Sequence, residues 1–237
     1  MALYVYSVTA ADHPNDLDGL TGVGDPPTHL RTLHAGPLSA VVSEAPENLR
    51  PKRRDLAAHQ AVQERLMTGG TVLPLRFGLT APDDAAVRAA LLERAAEYEN
   101  KLAALADCCE YHLKASQNEE SLLRQILRES DEARKLNDDI KSGAADPELP
   151  LALGQIVAQE VQARQEAMAA GVIEALRPLT RQERVSAPTG DDFLNVSFLV
   201  DSDHDEKFRT EEQGLAAALG ENFDLRLRGP LPAYSFV

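Results

Sequence analysis

Two halves of the chain repeat one order of strand-like and helix-like segments, and this repeat is what most restricts the fold. The first half begins with the β-branched and aromatic stretch LYVYSVT, followed by a loop rich in proline, glycine and aspartate. Two strand-like stretches then flank Gly36-Pro37, a hairpin signal. A helical stretch over about residues 51–69 precedes the short strand-like stretch TVLPLRF. The order is strand, loop, strand, strand, helix, strand.

The second half has the same order with a long helical insert where the first half has its loop. Its strand-like stretches are CCEYHLKAS, ERVSAP, FLNVSFLV and FDLRLRG. Its helical stretches cover about residues 119–142, 151–179 and 203–219. Strand, helix, strand, strand, helix, strand is the split βαβ order of ferredoxin-like folds. Both halves therefore follow this order, the first in a modified form.

The sequence predicts an α+β fold of two domains. Residues 1–80 form an N-terminal, modified ferredoxin-like domain, and residues 81–106 form a connecting helix. Residues 107–237 form a C-terminal domain with a split βαβ-like sheet. A helical hairpin over about residues 119–179 is inserted in it, because the glycine- and proline-containing stretch SGAADPELP separates two long helical patterns.

Charge and cysteine content exclude several classes of partner and compartment. The net charge is −14 and the isoelectric point is about 4.8, which disfavours binding to nucleic acid and to anionic membranes. The only cysteines, Cys108 and Cys109, are adjacent, as expected of a reduced, cytoplasmic protein. No stretch approaches the roughly 18 apolar residues of a membrane span, and no signal peptide is recognisable.

One acidic stretch imitates a metal site. Asp201, Asp203, Asp205 and Glu212 fall at positions 1, 3, 5 and 12 of an EF-hand loop. The sixth position requires glycine for its sharp turn and holds Glu206 here. The favoured interpretation is a helix start with acidic residues in its first turn, and no metal.

Other polar residues also suggest no catalytic site. His59 lies near an apolar helical stripe without a catalytic partner and is interpreted as structural. Cys108, Glu110 and His112 share one strand face, which is more simply a polar face than a metal site. The basic cluster RPKRRD is expected to solvate a helix start or to pair with local acids, and the alternative is contact with an acidic partner. We expect no enzyme, no catalytic residue and no cofactor.

The chain ends in RLRGPLPAYSFV, with apolar side chains at Tyr234, Phe236 and Val237 that favour burial. Two interpretations are open. The stretch folds back and buries Tyr234 and Phe236 between the domains, or it docks on a partner subunit. The prolines stiffen an extended segment in either case.

Several stretches are similar to one known family: LYVYSV, LAAHQAVQERLM followed by TVLPLRFG, LNVSFLVD and GPLPAYSFV. The chain resembles the gas vesicle protein F/L family (GvpF/GvpL), with VLPLRFG and the final stretch as the most specific matches. EYHLKA resembles the family's charged strand, with Glu110 and Lys114 at its recurrent Glu and Lys. The final stretch departs from many relatives at Leu231 and Ala233.

The resemblance implies a non-enzymatic accessory and minor structural protein of gas vesicle assembly. Such a protein associates with the small hydrophobic shell protein and is expected to prevent its aggregation during nucleation, with other accessory proteins as further partners. The resemblance also implies two domains, the second with coiled-coil-like helices. Candidate contacts are the exposed face of the N-terminal sheet and the residues Tyr234, Phe236, Val237 and Glu110. The alternatives are a ligand-sensing regulatory module and an enzyme using His59 or the acidic stretch at Asp201.

Overall fold

The first strand of the chain is central to an antiparallel sheet because it is apolar on both faces. Strand β1 (Leu3–Ala10) pairs on one side with β3 (Leu38–Glu44) and on the other with β4 (Val72–Pro74) and β5 (Thr80–Ala81). Strand β2 (Arg31–Ala35) forms the edge beside β3, so the order is β2-β3-β1-β4, with β5 also on β1. A strand buried on both faces needs such a central position.

The structure is a computed structural model that describes residues 1–143 and 146–237, and the chain divides into two compact units. The first unit comprises residues 1–111, 199–202 and 229–237. The second comprises residues 112–198 and 203–228. None of the helices within the described residues is both long and apolar enough to cross a membrane.

The hairpin between β2 and β3 follows the sequence signal. Ala35 and Leu38 are paired across the strands, so that Gly36 and Pro37 alone form the turn. Gly36 has a φ of +59°, a left-handed conformation that glycine adopts without steric cost. The predicted hairpin is confirmed.

Helices cover both faces of the first sheet. On one face, α1 (Arg53–Gly69) places Val62 and Leu66 in a buried cluster with Tyr4 and Tyr6 of β1. The opposite face belongs to a second buried cluster, to which the helices that follow β5 contribute. The expectation of an exposed sheet face for partner binding is therefore wrong, because the apolar residues on both sides of β1 and β3 are buried.

A β-bulge in β1 sets which residues face each helix layer. The register with β3 shifts between Val5 and Ser7, so one extra residue occupies β1 at this point. Val5 and Val8 consequently share one buried cluster although they are three residues apart. The bulge occurs in a strand that is buried along nearly its whole length.

The connecting helix predicted over residues 81–106 is two helices. Helix α2 (Asp84–Glu93) ends at Arg94, and α3 (Ala95–Ala104) follows directly. Leu91 of α2 and Leu102 of α3 both lie in the same buried cluster.

Four strands form the second sheet, in the order β7-β8-β6-β9. They are β6 (Cys108–Gln117), β7 (Gln182–Val185), β8 (Asp192–Asp201) and β9 (Phe223–Leu231). Helix α7 (Asp205–Leu219) connects β8 to β9. All of these elements coincide with segments predicted from period-two or helical patterns.

Within the described residues, the insert after β6 contains three α-helices rather than a two-helix hairpin. Helix α4 (Glu119–Glu129) ends at Ser130, whose hydroxyl accepts a hydrogen bond from the backbone N–H of Ala133 and so begins α5 (Asp131–Lys141). Helix α6 (Leu149–Leu176) packs against both. Residues 144–145 of the predicted connection lie outside the described residues.

The two units differ from the predicted domains. Residues 81–106 and 229–237 lie in the first unit, whereas the prediction assigned them to a connector and to the second domain. The reason is packing: Leu91, Leu102 and Ala233 all belong to a buried cluster built on β1 and β3. Apolar burial, not chain order, decides their membership.

Candidate functional site

The last nine residues, 229–237, here called the tail, dock on the first unit of their own chain. Ala233 is buried, and the half-buried side chains of Phe236 and Val237 pack against the buried cluster around β1 and β3. A 3-10 turn, Tyr234–Phe236, shapes the end of the tail. The tail therefore folds back onto its own chain, and burial of Tyr234 and Phe236 between the domains stays a prediction.

Gly229 lies within β9 and allows this strand to pass very close to its neighbour β6. Its φ is +155°, which a residue with a side chain rarely adopts. A Cβ atom at this position would lie 2.4 Å from the Tyr111 ring and 2.9 Å from the carbonyl oxygen of Glu110. The backbone therefore approaches β6 at a distance that only glycine permits.

One side chain of the tail, Tyr234, is held by a histidine from α1. The hydroxyl of Tyr234 lies 3.0 Å from Nε2 of His59, and Nδ1 of His59 lies 2.9 Å from the hydroxyl of Tyr4. The rings of His59 and Tyr234 are stacked, with centroids 6.3 Å apart. Tyr6 and Phe77 complete this aromatic cluster around the imidazole. His59 thus connects β1 to the tail through its two ring nitrogens.

Burial keeps this hydrogen-bonded chain uncharged. Desolvation lowers the pKa of His59 to about 4, and it also raises the pKa values of the Tyr4 and Tyr234 hydroxyls. A neutral imidazole has one donor and one acceptor nitrogen, so one tyrosine hydroxyl donates to it and the other accepts from it. The arrangement serves positioning, since no group in it is ionised near pH 7.

The backbone and side chain of Ser235 are held by a buried carboxylate from β6. Glu110, only 4% exposed, accepts hydrogen bonds from the backbone N–H of Ser235 at 2.8 Å and from its hydroxyl at 2.6 Å. Hydrogen bonds to an ionised acceptor are the stronger kind. Glu110 thus anchors the tail from within, and its side chain is not an exposed contact.

The EF-hand-like residues do not gather into one site. Asp205 lies in the first turn of α7 and pairs with Arg209 at 2.8 Å, and Asp203 is exposed in the turn before the helix. Glu212 is buried on α7, where desolvation raises its pKa. Asp201 accepts a hydrogen bond from the Cys108 thiol at 3.6 Å. In the described part of the chain, no three such residues could hold a metal ion together.

Arg54 of the basic cluster at the start of α1 pairs with local acids, as one interpretation of the cluster predicted. Arg54 lies 3.0 Å from Asp25 and 3.4 Å from Asp55. The buried carboxylate of Asp55 also accepts from the backbone N–H of Gly24, which lowers its pKa. These contacts tie the loop between β1 and β2 to the helix.

Comparison with known proteins assigns the chain to a family. The family model described as gas vesicle synthesis protein GvpL/GvpF matches residues 2–237. The chain belongs to the GvpL/GvpF family. Among curated relatives, a gas vesicle protein F from Streptomyces sp. is 43% identical over 238 residues, covering 100% of both chains. Another, from Dolichospermum flosaquae, is 24% identical and covers 99% of this chain and 96% of its own.

Two solved structures share the fold. The crystal structure of the gas vesicle protein GvpF from Anabaena sp. matches with a TM-score of 0.87 at 23% identity, over 99% of this chain and 97% of that one. The GvpF structure from Microcystis aeruginosa matches with a TM-score of 0.79 at 22% identity, over 99% and 98%. Membership of the GvpL/GvpF family gives the chain a role in gas vesicles.

The partners that hold the tail of this GvpL/GvpF chain were not predicted. His59 and Ser235 contact residues 175 and 125 positions away in the sequence, so no local pattern could reveal the pairs. The available signals were a lone histidine near an apolar helical stripe and a glutamate within an alternating strand.

Proposed function

We propose that this GvpL/GvpF chain is a non-enzymatic accessory and minor structural protein of gas vesicle assembly, acting in the cytoplasm and at the vesicle. In this proposal it binds the small hydrophobic shell protein and keeps it from aggregating while a vesicle nucleates. Other accessory proteins are further partners. Family membership supports the gas vesicle role, and the ligand-sensing alternative is set aside for that reason.

The observation that carries the proposal is the half-burial of the apolar end of the chain. Tyr234, Phe236 and Val237 are each held on the first unit, yet each keeps part of its side chain accessible. Aromatic side chains fixed in one conformation make effective interface anchors, because little entropy is lost when a partner covers them. We propose these three residues as the contact, with Glu110 fixing their position from below.

Holding the three contact side chains on the fold also has an advantage for a protein that binds a hydrophobic partner. An unattached apolar tail would promote self-association. Two polar attachments, at Tyr234 and Ser235, hold the segment in place, each contributing roughly 0.5–1.5 kcal/mol for a neutral hydrogen bond and more for one to a carboxylate. The accessible remainder of the rings then faces the client in a defined orientation.

The fold offers a scaffold for this role. We infer that both sheets are ferredoxin-like, because each has its first and third strands adjacent at the centre and its fourth and second strands outside. The first is modified, with a loop in place of the first helix. We further propose two domains whose boundaries follow the two compact units, so that the tail belongs to the N-terminal domain.

Co-purification with the small hydrophobic gas vesicle shell protein tests the proposal. The full chain is compared with a chain ending at Gly229 and with the double variant Tyr234→Ala, Phe236→Ala. The control is Val185→Ala with Leu92→Ala, which removes two apolar side chains that are 59% and 57% exposed elsewhere. We expect capture by the full chain and the control, and loss of capture by the other two.

Circular dichroism and denaturant unfolding decide whether each variant is folded. If the folded double variant captures the shell protein as well as the full chain does, the tail is not the contact. If the intact chain does not capture it at all, direct binding of the shell protein is wrong. A tail truncation that unfolds the chain leaves the double variant as the deciding comparison.

A further inference from the structure

A groove in the second unit has an apolar floor. It runs between α4, α6 and residues 188–193 at the start of β8, and its volume is about 920 Å³. The floor is formed by Leu122, Leu123, Val157, Ala158, Val161 and Phe193. The volume lies near the upper end of the range for small-ligand pockets, and the open shape suits a longer occupant.

Much of the floor is apolar surface that the fold leaves accessible, although Leu122 and Phe193 are themselves buried. Only three of the 28 residues of α6 are buried, all near its C-terminal end, at Val172, Ile173 and Leu176. Val157 and Val161 are half-buried: they pack against the cluster around Leu122 and also line the groove. The N-terminal half of α6 thus presents a stripe of accessible apolar side chains at helical spacing.

The rim of the groove is acidic. Glu119, Glu166, Asp191 and Asp192 line it, and no lysine or arginine does among the described residues. Asp192 is compensated by Lys114 at 3.6 Å and by Arg226. Glu119 and Asp191 are exposed, which leaves their charges directed at whatever approaches the groove.

We propose that this groove binds a basic amphipathic helix of a partner protein. An apolar helix face laid into a groove between helices is a recurrent mode of recognition. The acidic rim favours lysine or arginine on both sides of that face. A second copy of this chain is a poor occupant, because each copy carries a net charge of −14. The site uses no residue of the tail and is independent of the proposed shell-protein contact.

The test uses the full chain and a designed peptide of about 18 residues with leucine at helical spacing and flanking lysines. A matched peptide carries glutamate in place of every lysine. Binding is measured by fluorescence anisotropy. We expect saturable binding of the lysine peptide, weakened at least roughly tenfold in the glutamate peptide.

Substitutions at two exposed alanines of α6 test whether the peptide binds in the groove. Ala158→Arg places a bulky cation on the groove floor, whereas Ala163→Arg adds the same residue to α6 outside the groove. We expect the first to weaken binding of the lysine peptide roughly tenfold or more and the second to leave it within about twofold. If Ala158→Arg disturbs the fold, Ala158→Gln gives the steric test without the charge.

The role of the rim charges is tested with two double variants that have the same net charge as each other. The double variant Glu119→Gln, Asp191→Asn neutralises two rim carboxylates, and Glu206→Gln, Glu211→Gln neutralises two exposed carboxylates of α7. Only the first double variant should weaken binding of the lysine peptide by more than about twofold. Equal weakening in both, an unchanged affinity in folded Ala158→Arg, equal binding of the two peptides, or no binding of the lysine peptide would each overturn the proposal.

Discussion

At the scale of single residues, His59 links the first strand to the tail, and burial lowers its pKa to about 4. An unfolded histidine titrates near 6.5. Above about pH 6.5 the imidazole is neutral in both states. As the pH falls further, His59 becomes protonated in the unfolded chain but stays neutral in the folded chain. The free energy of unfolding therefore decreases until about pH 4.

This decrease in the free energy of unfolding at lower pH can be measured. Between about pH 7.5 and pH 5.5, His59 should remove about 1 kcal/mol from the free energy of unfolding. Urea unfolding of the wild type and of His59→Gln at both pH values isolates this contribution, because the other histidines titrate in both proteins. A pH-induced loss of equal size in the two proteins would show that His59 is not held neutral.

Glu110 gives a second prediction at this scale. Its carboxylate accepts both hydrogen bonds from Ser235, so Glu110→Gln should lower the free energy of unfolding by about 1–3 kcal/mol and increase amide exchange at Ser235. Glu99→Gln, an exposed glutamate of α3, is the control and should change stability by less than about 0.5 kcal/mol. Equal effects of the two variants would mean that the Ser235 contact contributes nothing.

At the scale of elements, the tail depends on its first residue. Gly229→Ala places a Cβ against the Tyr111 ring and a carbonyl oxygen, at a φ of +155°. We expect a loss of about 2–4 kcal/mol from overpacking and backbone strain together. Gly220→Ala is the matched control: its φ is also positive, at +76°, but its Cβ would meet no atom within 4 Å.

Denaturant unfolding compares the two glycine variants. The control should lose only the conformational cost, about 1 kcal/mol. If Gly229→Ala costs no more than Gly220→Ala, the close approach to Tyr111 does not constrain the tail. Limited proteolysis should also release the tail faster in Gly229→Ala.

The elements themselves were largely readable from the sequence because their signals are local. The apolar run of β1, the turn at Gly36-Pro37 and the alternation in β6 each specify their strand without any distant contact. The helix breaks at Arg94 and Ser130 were missed because neither position carries a glycine or proline, although Ser130 is a helix N-cap and so a local signal.

The contacts of the tail could not be predicted in the same way, because they join residues that are distant in the sequence. Glu110 falls on the face of β6 that alternation assigns to polar residues, yet it is buried because Ser235 supplies its hydrogen bonds. His59 likewise needs Tyr234, far along the chain. A pattern shows which side chains favour burial, but it does not show which distant residue completes a buried polar pair.

At the scale of the whole molecule, accessible apolar side chains occur on a chain with a large net negative charge. Both faces of the first sheet are covered, so accessible apolar side chains remain at specific places such as the tail and the groove beside α6. The surrounding surface contributes to a net charge of −14. Such a surface keeps molecules apart by repulsion while leaving defined apolar contacts available.

The net negative charge leads to a prediction about the proposed complex with the shell protein. Exchanging four exposed glutamates that lie away from the tail and the groove (Glu93, Glu99, Glu211 and Glu221) for lysine reduces the net charge from −14 to −6. Surface substitutions of this kind cost little stability, so the variant should fold and capture the shell protein. Its complex should nevertheless scatter more light and sediment, because repulsion between complexes is weaker.

Exchanging the same glutamates for aspartate keeps the charge and controls for the number of substitutions. Light scattering and sedimentation of the captured complex, measured at equal protein concentration and ionic strength, give the comparison. Added salt should bring the wild-type complex toward the behaviour of the lysine variant, since it screens the same repulsion. If the lysine variant keeps the complex as dispersed as the aspartate variant does, covering of apolar surface alone, not charge, prevents aggregation of the client.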